Sequence, residues 1–67
     1  MYKAFNFEYG GKEYIIPYKK VDRVIVDDKR NTISFQVGQE VKSFDSEVLG
    51  KETINELLDN YEDWLQE

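Results

Sequence analysis

The chain has no cysteine, no histidine and a single proline, Pro17, among its 67 residues. Without cysteine there is neither a disulfide nor a thiolate metal site. Without histidine the commonest transition-metal ligand and the commonest general base are both missing. Long apolar runs are missing as well: none approaches the ~18–20 residues that a membrane span requires. The opening Met1-Tyr2-Lys3-Ala4-Phe5-Asn6 lacks the apolar stretch of a secretory signal. The expected address is the cytoplasm, with no membrane partner. A chain of this length is expected to fold as one domain, residues 1–67, whose core supplies a margin of only ~3–5 kcal/mol. Small domains commonly reinforce such a core with disulfides, a metal or a second subunit, and the second subunit is the route left open here.

What the chain does have is rings. Aromatic residues make up 15% of it, from Tyr2, Phe5 and Phe7 near the start to Tyr61 and Trp64 near the end. Each ring buries a large area, which is how a short chain builds a core and why disorder is not expected. The net charge is −5, but it is unevenly spread. Residues 1–44 carry eight basic and six acidic side chains, whereas residues 45–67 carry Lys51 against eight acidic ones. The negative field therefore belongs to the C-terminal end.

That end reads as a helix over about residues 52–66. Ile54, Leu57, Leu58, Tyr61, Trp64 and Leu65 recur at helical spacing and form one apolar stripe. Thr53 and Glu56 fit a T-x-x-E capping box; the alternative start lies a turn earlier, just after Gly50, with Glu52 and Glu56 near the positive end of the helix dipole. The face opposite the stripe carries Glu56, Asp59 and Asp63, with Glu52 and Glu62 at its sides.

The remainder alternates with period two between turn signals. Gly10-Gly11 predicts a two-residue hairpin loop that sets Phe7 against Tyr14 and Phe5 against Ile16. Gly38-Gln39 predicts a second such loop, glycine first as in a type II′ turn, pairing Phe35 with Lys42 and Ile33 with Phe44. Asp28-Lys29-Arg30-Asn31 predicts a longer loop that sets Val26 against Ile33 and Val24 against Phe35. Pro17 ends the second strand, because proline cannot donate to a ladder. Strands are expected near 2–9, 12–17, 21–27, 32–37 and 40–45, joined as a five-stranded antiparallel meander that can curl toward a half-barrel. Segment 46–50 then crosses to the helix, which covers the apolar sheet face. The class is α+β.

The other sheet face is mostly polar but carries Ile15, Ile25 and Val41. Scattered surface hydrophobes are ordinary; an oligomer face is the functional alternative. Catalysis finds little support, since the carboxylates fall in turns or on the polar helix face, where nothing separates their pKa values. Ser34, Ser43 and Ser46 have no base partner that the sequence suggests. Gly10-Gly11-Lys12 lacks the spacing of a phosphate loop. Asp27, Asp28 and Asn31 are hard oxygen donors without calcium-loop spacing, and are also ordinary turn residues. The chain is therefore expected to be non-enzymatic, with no metal and no cofactor. The basic residues Lys19, Lys20, Arg23, Lys29 and Arg30 fall at two ends of a sheet, and the overall negative charge opposes nucleic-acid binding.

Two surfaces remain. Glu52, Glu56, Asp59, Glu62 and Asp63 form an acidic helix face suited to a basic protein partner, since such a field speeds encounter and gives specificity; solvation alone is the other account of it. Lys19, Lys20 and Arg23, with Tyr18 for stacking, suit an anionic ligand. In size and charge, though not in any motif, the chain resembles the small acidic proteins that bacteriophages and mobile elements use against host defences, such as anti-CRISPR and anti-restriction proteins. That resemblance implies a non-enzymatic inhibitor acting in the host cytoplasm, and it transfers no functional residue. The leading expectation is a protein-binding module with the acidic helix as its contact. The alternatives are a homo-oligomeric sponge for an anionic nucleotide signal or metabolite, and a self-assembling structural subunit.

Overall fold

The computed structural model describes residues 2–67. In chain order the elements are β1 (Ala4–Tyr9), β2 (Lys12–Pro17), a 3-10 turn (Tyr18–Lys20), β3 (Arg23–Asp27), β4 (Thr32–Val37), β5 (Glu40–Asp45), α1 (Ser46–Leu49) and α2 (Lys51–Leu65). The strands have five or six residues each, and loops set how they meet.

Each hairpin has the predicted register. Phe5 faces Ile16 and Phe7 faces Tyr14 across β1–β2. Val24 faces Phe35 and Val26 faces Ile33 across β3–β4. Ile33 faces Phe44 and Phe35 faces Lys42 across β4–β5. The turns explain the registers. Gly10 and Gly11 both take positive φ, as a type I′ turn demands. In the four-residue loop, the Asp27 carboxylate accepts the amides of Lys29 and Arg30, each at 3.1 Å, and Asn31 closes it at φ 53°.

The five strands do not form one meander. They divide into a two-stranded sheet, β1-β2, and a three-stranded sheet, β3-β4-β5. The cause lies between β2 and β3. Pro17 has no amide to donate, and the chain then winds into the 3-10 turn, where the Tyr18 amide donates to the Lys3 carbonyl at 3.0 Å. Tyr18 and Val21 turn into the core, 1% and 8% exposed. Strand β3 starts afresh at Arg23, two residues later than predicted, while the Asp22 carboxylate accepts the Gly38 amide at 2.8 Å and ties the connector to the β4–β5 turn. The fold is α+β, with two antiparallel sheets and a C-terminal helix.

The hairpin β1–β2, the sheet β3–β5 and α2 enclose a core of rings. Phe5 and Phe7 lie against Phe35 at centroid distances of 4.7 and 5.9 Å, and Phe7 meets Phe44 edge-on at 5.0 Å. From α2, Ile54 and Leu57 are buried, and Tyr61 reaches Phe5 at 5.0 Å. Leu65, the last residue of the predicted stripe, is 58% exposed, because the helix outruns the sheet beneath it. Burial raises the Tyr18 phenol above its ordinary pKa, with Tyr2 adding to the effect, so the buried ring stays neutral.

Segment 46–50 is not a plain crossover. It contains α1, whose first turn is capped by the Asp45 carboxylate accepting the Glu47 amide at 2.9 Å. Gly50 then breaks the helix at φ 91°, ψ 147°, and α2 begins directly after it. Of the two predicted starts, the one after Gly50 is found, and Thr53 lies inside the helix. The Gly50 conformation is one that residues with a Cβ scarcely adopt, although a Cβ built there would meet nothing within 4 Å. Any cost of a side chain at Gly50 is therefore conformational rather than steric. Gly50→Ala should lower stability by about 1–3 kcal/mol, read as a lower urea midpoint at unchanged slope.

Candidate functional site

Helix α2 owes its two faces to its spacing. Residues that point to the core recur every three or four positions, and the acids fill the positions between them. Glu52, Glu56, Asp59 and Asp63 follow at i, i+4, i+7 and i+11, one line down the outside of the helix. All four are exposed, and so is Glu62, which lies on the neighbouring flank. The line is about 16 Å long at ~1.5 Å rise per residue. Among the described residues none of these carboxylates has a cation within ion-pair distance, and the single ion pair is the exposed Arg30–Asp27 contact at 4.0 Å. Like charges at i, i+4 oppose the helix by a few tenths of a kcal/mol per pair, so packing of the inner face has to hold α2 in place.

Three residues outside the predicted set join this surface. The exposed Tyr2 lies beside α2 and, with Asn60, Asp63 and Glu67, lines an open hollow of about 400 Å³. A narrower cleft of about 110 Å³ continues from it between β1 and α2, past Asn6 to Glu56. A ring face, a carboxamide and two carboxylates around one hollow suit a guanidinium or ammonium group, by cation–π and charge-assisted contacts together. No local pattern places Tyr2 and Asp63 around one hollow, because their proximity depends on how the N-terminal segment meets the helix.

The predicted anion-binding set loses its ring. Tyr18 is 1% exposed, with its ring packed between Phe5 at 4.9 Å and Trp64 at 5.4 Å, so it cannot stack on a ligand. Lys19 and Lys20 are exposed on the 3-10 turn, while Arg23 belongs to β3 on the other sheet. Lys19 has a different partner. With Lys3, Ala4, Pro17 and Trp64 it surrounds an open, largely apolar hollow of about 490 Å³. Trp64 thus offers the ring expected of Tyr18. Its place in the apolar stripe identified it only as a core residue.

Ile15, Ile25 and Val41 are 59%, 41% and 57% exposed. They do not make one patch. Ile15 lies on the outer face of the β1–β2 hairpin, whereas Ile25 and Val41 lie on the outer face of the other sheet, separated there by Ser34, Ser43 and Gln36. The Ser34 and Ser43 hydroxyls are hydrogen-bonded at 2.8 Å, which satisfies both without a base or a nucleophile's partner.

No helix among the described residues is long and apolar enough to cross a membrane, and these residues contain no cluster of acidic side chains arranged to hold a metal ion. No family model matches the chain, and neither the curated proteins nor the solved structures contain a significant match.

Proposed function

We propose that the protein is a small non-enzymatic binding module whose partner is a protein with a basic surface, and that the outer line of α2 is the contact. The observation that carries this reading is the exposed row Glu52, Glu56, Asp59 and Asp63, without an ion-pair partner among the described residues and ending at the hollow of Tyr2, Asn60, Asp63 and Glu67. The row directs the approach of a cationic surface, and the hollow receives one arginine or lysine from it. Charge density limits what the row can imitate. Four charges over about 16 Å give one per ~4–5 Å, against one per ~1.7 Å of duplex DNA. The module therefore engages a few cations in a cleft rather than filling the footprint of a duplex. A protein that handles nucleic acid has such a cleft, and a small acidic ligand seated in it acts as an inhibitor, the role that bacteriophage and mobile-element anti-defence proteins of this format play.

A second reading is favoured by the hollow at Trp64. An indole and a proline form its apolar wall, with Lys3 and Lys19 beside them. This combination stacks a base and neutralises a phosphate, as a sponge for an anionic nucleotide would require.

Two measurements separate the readings. For the first, an arginine-rich peptide of fifteen residues serves as probe at low and moderate salt. The variant Glu52→Gln/Glu56→Gln/Asp59→Asn/Asp63→Asn should bind it at least about tenfold more weakly, a change of about 1.4 kcal/mol, and with a shallower salt dependence. A control of equal net charge, Glu8→Gln/Glu13→Gln/Asp28→Asn/Glu40→Gln, should retain most of the affinity. Equal loss in both would mean that overall charge alone attracts the peptide. For the second, Trp64 is the only tryptophan, so its fluorescence reports directly on the hollow. Titration with a nucleoside triphosphate should quench it saturably, and Lys3→Ala/Lys19→Ala should abolish that quenching; a flat titration would exclude the nucleotide reading.

A further inference from the structure

Strand β3 is an edge. It pairs with β4 on one side and, among the described residues, with no strand on the other. Its sequence is Arg23-Val24-Ile25-Val26-Asp27, which is self-complementary when read against itself in reverse. If a second copy of β3 is laid antiparallel with Ile25 opposite Ile25, Val24 meets Val26, and Arg23 meets Asp27 at both ends. Two of the five ladder pairs are then oppositely charged, three are apolar and none is like-charged. From this we infer that the protein associates as a twofold dimer through β3, joining two three-stranded sheets into one continuous six-stranded sheet.

Several features favour this occupant over any other. Val26 belongs to the inner, apolar side of β3 yet is 47% exposed, because α2 leaves it at the edge of an open groove that also touches Ile54 and Leu58. A neighbouring β3 sets a valine beside it. Ile25, 41% exposed on the outer side, gains its own copy as neighbour. Charges on an edge strand ordinarily guard it against pairing. Here their signs guard it against every partner but an antiparallel strand of the same pattern in a single register. Arg23 has no ion-pair partner among the described residues, and the contact that Asp27 makes with Arg30 is long and exposed, so both are free to pair across the axis. One Asp27 oxygen is held by the Lys29 and Arg30 amides, and the other, which has only the 4.0 Å Arg30 contact, can turn to Arg23 of the second copy.

The ladder stops at five residues for a reason. The next pair would be Asp22 against Asp28, but Asp22 is tied to the Gly38 amide and Asp28 has left the strand for the turn. The other edge of this sheet has no such pattern: β5, paired with its own copy about its midpoint, sets Glu40 against Asp45. In the hairpin sheet, β2 ends on Pro17, which cannot donate. A twofold contact of this kind is closed, so it gives dimers and not fibres. The inference rests on the β3 pattern alone and does not depend on the function proposed for the acidic helix row.

The test uses the symmetry of the axis. Sedimentation equilibrium of the whole chain should show a species of twice the 8.0 kDa chain mass at high micromolar concentration. Ile25→Lys and Ile25→Glu each set like charges on the axis and should each raise the dimer dissociation constant at least tenfold. Because residue 25 is exposed, both variants should keep the wild-type circular dichroism spectrum. An equimolar mixture of the two should recover dimer, since lysine then faces glutamate. A wild-type chain that stays monomeric at millimolar concentration would overturn the inference, as would variants that dimerise like the wild type. A mixture that recovers no dimer would overturn the register and with it the inference.

Discussion

The structure depends on the ring of Phe5. It is fully buried and touches three other rings: Tyr18 from the connector after β2, Phe35 from the central strand of the larger sheet, and Tyr61 from α2. Those rings come from parts of the chain that share no strand ladder. A lone hairpin is marginal in water, an isolated helix of α2's length is marginal too, and α2 also carries a row of like charges. Each becomes stable only against the other two, and Phe5 lies where all three meet. Truncating a buried phenylalanine costs ~3–5 kcal/mol, as much as the whole margin of so small a domain. Losing this ring would cost the fold as well as the contact.

The outward surfaces follow from that arrangement. With the apolar stripe of α2 held against the rings, the positions between its members have nowhere to point but solvent, and the acids occupy them. The same clustering of rings leaves the sheet margins thinly covered. Val26 lies beyond the reach of α2, Leu65 lies beyond the sheet, and β3 keeps an open edge. The proposed protein contact and the proposed self-association thus use opposite consequences of one small core: the charge it expels and the apolar margin it cannot cover.

Local features were legible in the sequence, and long-range ones were not. Each hairpin register followed from one to three glycine, asparagine or aspartate positions, because a short turn fixes which residues face each other. The α2 stripe was readable because six apolar residues keep one period. Alternation with period two does not reveal whether adjacent hairpins share a sheet, so the break at residues 18–22 was missed. Tyr18 beside Lys19 and Lys20 looked like a ligand ring, yet the turn after Pro17 points it into the core. Gly50 was readable as the start of α2 but not as its separation from α1. The neighbours Tyr2–Asp63 and Lys3–Trp64 join the two ends of the chain, and no local pattern encodes them.

Native-state amide hydrogen exchange reads whether hairpin, sheet and helix form one mutually dependent core. If they do, the slowest amides of β1, of β4 and of the Ile54–Tyr61 part of α2 should exchange with the same free energy, equal to that of global unfolding. Exchange from α2 at a clearly lower free energy, with the sheets still protected, would show instead that the helix is an accessory to a core that stands without it.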